Sequence, residues 1–265
     1  MFFQTYSPPS IALHLGPVTL YWYGLTMVLA IVAGVAVVRA LAKRTGLARP
    51  ETVYDLAFVV TIAALVGARL YAVLLFGPEY AADPWEIFKV WHGGLAIHGA
   101  LLGGTLALWW YCRRKRFSFW AWADIVAVAV PLGQAIGRWG NYLNQELFGP
   151  PTTLPWGIFI APENRPPDFA SATIFHPTFL YESLLNLALF TVLWWLFFRR
   201  RQVGAVLAAY LVGYGVIRLA MEQLRLDVTP EILGVRWPVI TSILLIVGGL
   251  VGLGTRQRRP QPSGG

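Results

Sequence analysis

The chain has 265 residues, 57% of them hydrophobic and only 13% charged, with a mean hydropathy of +0.57. A soluble domain carries about a quarter charged residues, so this composition excludes an ordinary water-soluble globule and points to a polytopic membrane protein. The formal charge of +8 does not mark a nucleic-acid binder, because the basic residues sit in short clusters between apolar runs, a pattern that sets topology and suits an anionic leaflet.

Residues 1–18 read as a proline-bearing amphipathic lead-in at the interface, and the start has no basic region of the kind that opens a cleavable signal peptide. Apolar runs of the roughly twenty residues needed to cross a bilayer as a helix then recur. The first covers about 19–41 and ends in Arg39, Lys43, Arg44 and Arg49. The second covers about 52–76 and is stopped by Gly77-Pro78. A loop with Glu79, Asp83 and Glu86 leads to a third span, about 94–112, ending in Arg113-Arg114-Lys115-Arg116. The fourth, about 119–139, runs into a polar stretch. Residues 140–178, rich in Pro and Thr, are too long for a plain turn and read as a small extracytoplasmic cap. The fifth span, about 179–198, ends in Arg199-Arg200-Arg201; the sixth covers about 204–222; the seventh, about 238–254, precedes a basic tail (about 255–265) with Arg256, Arg258 and Arg259.

The expected fold is therefore an all-α membrane protein, one domain over 1–265, with about seven transmembrane helices. The basic clusters after the first, third, fifth and seventh spans fall on one side, which places the N-terminus outside and the C-terminus in the cytoplasm. With that topology, polar groups far apart in sequence meet at the outer end of the spans. They are Tyr21 and Tyr23; His98; Arg138, Asn141, Asn144 and Glu146 with Gly149; His176 to Glu182; and Tyr214, Arg218, Glu222 and Arg225, whose spacing puts them on one helical face.

Ionisable groups at membrane depth usually line a cavity or substrate path. Arginine holds phosphate oxygens in a planar fork, so Arg138 and Arg218, with amides beside them, suit an anionic headgroup. His98 can take a proton near neutral pH, or simply bond a carbonyl. Arg218 with Glu222 also fits a buried structural ion pair, and Tyr21 and Trp22 an aromatic belt. Arg69 reads as a residue that pairs or snorkels, and His92 and His176 as interfacial. A lone cysteine, Cys112, excludes an intrachain disulfide and falls at the inner face.

Gly137-Arg138-Trp139-Gly140-Asn141-Tyr142-Leu143-Asn144-Gln145-Glu146-Leu147-Phe148-Gly149 closely resembles the signature of the prolipoprotein diacylglyceryl transferase family. Tyr21-Trp22-Tyr23-Gly24-Leu25, Gly93 to Gly99, His176 to Glu182 and Tyr214 to Asp227 match the same family in the same order. The resemblance implies transfer of the diacylglyceryl group of phosphatidylglycerol to the lipobox cysteine thiol of a prolipoprotein signal peptide. A thioether forms and glycerol 1-phosphate leaves, in the bacterial cytoplasmic (inner) membrane, with the site towards the outer leaflet. It implies His98 as general base, Arg138 and Arg218 on the departing phosphate, and Tyr23 near the reacting centre. Asn141, Asn144, Glu146, Gly149, Glu222, Tyr214 and Arg225 would bind or orient substrate. No metal or organic cofactor is implied. Three places depart from the family pattern: Phe179 stands where Gln is usual, His92 where Asp, Glu or Asn is usual, and 232–238 lacks the common Met-Gly-Gln run.

Two other function classes compete with this reading. A transporter of anionic lipid would want polar groups towards the cytoplasmic side, whereas the inner halves of these spans are almost wholly apolar. A non-catalytic lipid-binding descendant would have little use for the whole set of His98, Arg138, Asn141, Glu146 and Arg218.

Overall fold

The computed structural model describes residues 2–16, 18–47, 49–199, 202–227 and 229–255; the side chains of Phe2, Leu15, Val18 and His92 are not described. Arg200, Arg201 and the basic tail with Arg256, Arg258 and Arg259 therefore lie outside the described residues, as does the side chain of His92. In chain order the elements are α1 (Phe2–Thr5), β1 (Ile11–Leu15), β2 (Val18–Tyr21), α2 (Trp22–Thr45), α3 (Pro50–Leu75), α4 (Gly77–Ala82), α5 (Ile97–Lys115) and α6 (Phe119–Leu143). They continue with β3 (Ile158–Phe159), β4 (Ile174–Phe175), α7 (Thr178–Arg199), α8 (Ala205–Glu222), β5 (Glu231–Ile232), β6 (Val235–Arg236) and α9 (Trp237–Thr255). Among the described residues, six helices are long and apolar enough to cross a membrane: α2, α3, α6, α7, α8 and α9. The protein is a mostly helical, multi-pass membrane protein. The third expected span corresponds to the helix α5, which is not among the six because its glycines and the Arg113-Arg114-Lys115 end dilute its apolar character.

Among the described residues three antiparallel hairpins, β1–β2, β3–β4 and β5–β6, go beyond the all-helical expectation. The first occupies the segment read as an amphipathic lead-in: Leu13 pairs with Leu20 and His14 with Thr19. The chain divides into two compact units, one of residues 1–37 with 124–265, the other of residues 38–123.

In the larger unit, α6 carries Gly133, Gly137 and Gly140 on one face. A Cβ at Gly140 would come within 2.8 Å of the Tyr23 ring and 2.7 Å of the Thr26 hydroxyl, while Gly137 and Gly133 face Met27 and Ala30. Small residues let helix backbones approach closely where lipid gives no hydrophobic drive to associate. The antiparallel seam they make brings the start of α2 to the end of α6. On the other side, Ser183 donates to the Ala135 carbonyl at 3.0 Å, tying α7 to α6. Gly215 and Gly249 pack α8 on α9 against Ser242 and Ala208.

Asp124 sets the relative depth of two helices. It is fully buried, and its carboxylate accepts from the backbone N–H groups of Gly204 (2.6 Å) and Leu207 (2.9 Å), where a helix N-terminus favours negative charge. The starts of α6 and α8 are thereby held side by side, and the two helices run the same way. Arg138 lies fourteen residues beyond Asp124, and Arg218 fourteen beyond Gly204. At about 1.5 Å per residue both sit ~21 Å from that anchor. The two arginines share one level near one end of the unit.

In the smaller unit α3 and α5 cross on Gly67, Gly99 and Gly103, whose backbones approach too closely for a side chain at any of them. Arg69 is buried in α3 and donates to the carbonyls of Ile87 (3.0 Å), Gly93 (2.6 Å), Gly94 (2.9 Å) and Glu86, with Tyr80 under its guanidinium. The expected carboxylate partner or snorkelling head is replaced by a carbonyl cage, so Arg69 organises the loop that precedes α5. Cys112 is buried in this unit.

Candidate active site

The turn after α6 is tight. Asn144 and Gln145 N–H bond back to Gly140 and Tyr142 carbonyls, and Glu146 N–H to Asn141 O at 2.9 Å. Gln145 and Leu147 take left-handed backbone angles (φ 52° and 55°), which turns Glu146 outward between them. The segment is held by Gln145, which donates to Ser7 at 2.7 Å and accepts from Ala161 N–H at 2.7 Å. It is held again by Thr178, which donates to Leu147 O. Gly149 is needed for close approach: a Cβ there would come within 2.8 Å of Leu224 O and 2.9 Å of the His176 side chain. The cap behind it has its own apolar core of Tyr142, Phe148, Ile158, Ile160, Phe175 and Phe179. Phe179 stacks on Tyr142 (4.6 Å, 22°) and meets Trp139 edge-on. The departure at this position is a packing substitution inside the cap core.

The turn presents the polar set to its neighbours. Arg138 Nη1 donates to Asn141 Oδ1 at 3.2 Å, and Asn141 Nδ2 to Glu146 Oε1 at 2.8 Å. Arg138 Nη2 pairs with Glu182 Oε2 at 2.7 Å, and the other oxygen of Glu182 accepts from Arg225 Nε (3.1 Å) and Nη2 (2.6 Å). A second group mirrors the first. Glu222 is paired with Arg218 through one oxygen and with Arg236 Nη1 through the other, at 3.1 Å. Glu182 and Glu222 are 3% and 2% exposed, so each is a buried carboxylate shared by two guanidinium groups. Two cations and one anion give the Glu222 group a formal charge of +1, whereas in the Glu182 group the Asp227 carboxylate also lies 3.8 Å from Arg225 Nη1 and balances the second cation. Burial alone would pull Arg225 down, but the charge and hydrogen bonds of Glu182, with the Asp227 carboxylate, together hold the guanidinium above its ordinary pKa.

Every site residue predicted in the larger unit falls within or beside this network, except that Tyr214 stands one step off, stacked on Tyr210 at 5.8 Å. Tyr23 lies against Gly140, within electrostatic reach of Glu146 and Arg138. Asn144 and Glu146 line an open cleft of about 420 Å³ with Phe148, Asn164, Leu226 and Asp227. Arg218 and Glu222 do form an ion pair, as the structural reading of them expects. His98 belongs to the smaller unit, in the first turn of α5, where it is exposed and its ring lies 6.0 Å from that of Tyr71. His176 contacts the Tyr181 hydroxyl at 3.2 Å, which also accepts from Trp156, a cap contact in keeping with an interfacial histidine.

With this geometry the comparisons with known proteins agree. Residues 10–255 match the family model described as prolipoprotein diacylglyceryl transferase. The chain belongs to this family. It is 45% identical over 263 residues to a protein of Trichormus variabilis, covering 97% of this chain and 92% of that one. It is 43% identical over 257 residues to one of Synechococcus elongatus (94% and 88%), and 42% identical over 256 residues to one of Gloeobacter violaceus (96% and 94%). Each of the three is named phosphatidylglycerol–prolipoprotein diacylglyceryl transferase.

In this member of the prolipoprotein diacylglyceryl transferase family, sequence reasoning missed the two residues that turn single arginines into triads. Glu182 closes a matched motif, yet its partners lie 44 residues before it and 43 after it, beyond any local pattern. Arg236 stands in the stretch that departs from the family, and only the β5–β6 hairpin returns it to Glu222. An acid at the start of an apolar helix, which no turn or cap requires, was the available signal for Glu182.

Proposed function

We propose that the protein transfers the diacylglyceryl group of phosphatidylglycerol to the lipobox cysteine thiol of a prolipoprotein, the first step of bacterial lipoprotein maturation. The observation that carries this reading is the pair of arginines at one level, each paired with a buried carboxylate that a second arginine shares. The thiol, of ordinary pKa about 8.5, must ionise before it attacks. Its sulfur attacks the glycerol carbon of the diacylglyceryl group and forms the thioether. The carbon–oxygen bond to phosphorus breaks, its electron pair stays on the phosphate, and glycerol 1-phosphate departs with one more negative charge. Guanidinium groups already ordered against Glu182 and Glu222 can meet that charge without reorganising. Each guanidinium has five N–H donors, so the carboxylate contacts of Arg138 and Arg218 leave donors for phosphate oxygens.

In this reading Asn141, Asn144, Glu146 and Gly149 shape the headgroup position, Tyr23 and Tyr214 flank it, and Arg225 adds to the positive field. His98 receives the thiol proton. The whole chain acts as one catalytic domain of about seven membrane-crossing helices, α5 included, in the cytoplasmic membrane. The N-terminus and the cap face outward in this reading, because Lys43 and Arg44, Arg113 to Lys115, and Arg199 close the last turns of their helices and basic helix ends favour the cytoplasm.

The test is to incubate the detergent-purified protein with phosphatidylglycerol and a lipobox peptide, then weigh the peptide by mass spectrometry. A gain of one diacylglyceryl group, absent when the peptide cysteine is serine, is the expected result. An unchanged peptide, beside a family member that modifies it, removes the reading. In the same assay His98→Asn is expected to slow transfer by about 100-fold, within the range for loss of a general base. A rate within threefold of the unsubstituted protein would instead assign ionisation of the thiol to the arginine field.

A further inference from the structure

The two triads differ in how their second arginine is supplied. Arg225 follows α8 directly, whereas Arg236 comes from β6, at the far strand of a hairpin whose register pairs Glu231 with Arg236 and Ile232 with Val235. The turn between them, Leu233-Gly234, has both residues in the left-handed region (φ 53° and 74°). That geometry folds the chain back within two residues. Arg236 then forms an ion pair with Glu222 Oε1 at 3.1 Å and donates to three acceptors: Glu222 O at 3.4 Å, Asp227 O at 2.6 Å and Thr229 Oγ1 at 3.0 Å. One side chain therefore grips both the carboxylate that holds Arg218 and the loop that carries Arg225.

We propose that Arg236 is a positioning residue for the reaction, keeping Arg218 electropositive by taking half of the Glu222 carboxylate. The proposal rests on the diacylglyceryl-transfer reading above. Without Arg236, both oxygens of a carboxylate that is 2% exposed would answer to Arg218 alone. The pair would be formally neutral, with less attraction left for the phosphate as it gains charge. With Arg236 in place the triad keeps its +1, and the carboxylate orients Arg218 without cancelling it. Grip and charge make separable demands: the three carbonyl and hydroxyl contacts need the guanidinium fork, whereas the sharing of Glu222 needs only a cation.

The experiment measures transfer from phosphatidylglycerol in mixed micelles to a lipobox peptide for the unsubstituted protein and for Arg236→Met, Arg236→Lys and Arg236→His. Arg236→Met is expected to slow transfer about 50-fold, the size of one charge roughly 7 Å from the developing anion at an effective dielectric near 20. Arg236→Lys is expected to restore the rate to within about fivefold, because lysine keeps the charge and loses the fork. Arg236→His, with an ordinary pKa near 6.5, should gain on the unsubstituted protein as the pH falls from about 8 to about 5.5. Taking the ratio of the two rates cancels the ionisation of the substrate thiol. The groups around that imidazole would be Glu222 of α8, Asp227 and Thr229 of the loop, and Glu231 across the hairpin. Arg236→Met within threefold of the unsubstituted protein overturns the proposal. So do methionine and lysine variants that are equally slow with a histidine ratio flat in pH, which would make Arg236 a clamp only. An unsubstituted protein that transfers nothing overturns the parent reading instead.

Discussion

Arg138→Ala is expected to lower diacylglyceryl transfer by about a thousandfold, the upper range for removing one preorganised donor from a developing oxyanion, while leaving the protein inserted and folded. Arg138 contacts Asn141 and Glu182, and its loss unties both. Glu182 keeps Arg225 at 2.6 Å, so the buried carboxylate is not orphaned and the helices retain a cross-link. The damage therefore falls on the chemistry: the site loses one of its two level cations and the tether on Asn141, which in turn holds Glu146. Arg138→Lys separates charge from geometry. A lysine ammonium cannot reach Glu182 and Asn141 as a planar fork does, and an intermediate loss of about 30-fold is expected from keeping the charge while losing the bidentate geometry. Transfer by Arg138→Ala within tenfold of the unsubstituted protein, at equal expression and gel-filtration behaviour, would take Arg138 out of the phosphate role.

The long helices were legible because membrane crossing needs a run of apolar residues, and such a run is local. The expected fourth, fifth and sixth spans correspond to α6, α7 and α8 with ends shifted by a few residues. The hairpins were not legible. Strands of two residues, such as Ile158–Phe159 with Ile174–Phe175, carry no alternation, and what pairs them is the cap core rather than their own pattern. The polar site was half legible. Arginines and amides in the middle of apolar sequence advertise themselves by their cost, and a common level for Arg138 and Arg218 could be inferred from helix direction alone. What compensates them could not, because an ion pair is a matter of side-chain reach between elements. Arg69 shows the same limit: its charge was noticeable, but four carbonyls of a loop 17 to 25 residues downstream leave no mark in the sequence. Phe179, the departure nearest the site, was read by its difference from the family, and its stacking on Tyr142 gives the physical account.

Glu182→Gln is expected to be the most destabilising single change at the site. The carboxylate is 3% exposed and is shared by Arg138 and Arg225. Its neutral isostere would leave Arg138 without a carboxylate and Arg225 with only Asp227, 3.8 Å from its Nη1, on either side of an amide one end of which is itself a donor. Removing one member of a buried ionic group costs about 3–5 kcal/mol, because the remaining charge stays desolvated and unpaired. The loss should appear as a lower midpoint of thermal unfolding in detergent, together with loss of transfer. A second change tests the cause. In Glu182→Gln with Arg225→Met, one of the two cations that lost Glu182 is gone, and the midpoint should recover part of the way although transfer does not. Glu182→Asp, shorter by one methylene, should keep one arginine and lose the other, giving a stable but slow protein. Unfolding of Glu182→Gln at the same temperature as the unsubstituted protein would mean that water, not the carboxylate, balances the two arginines, and the triad would cease to explain why they stay ordered before substrate arrives.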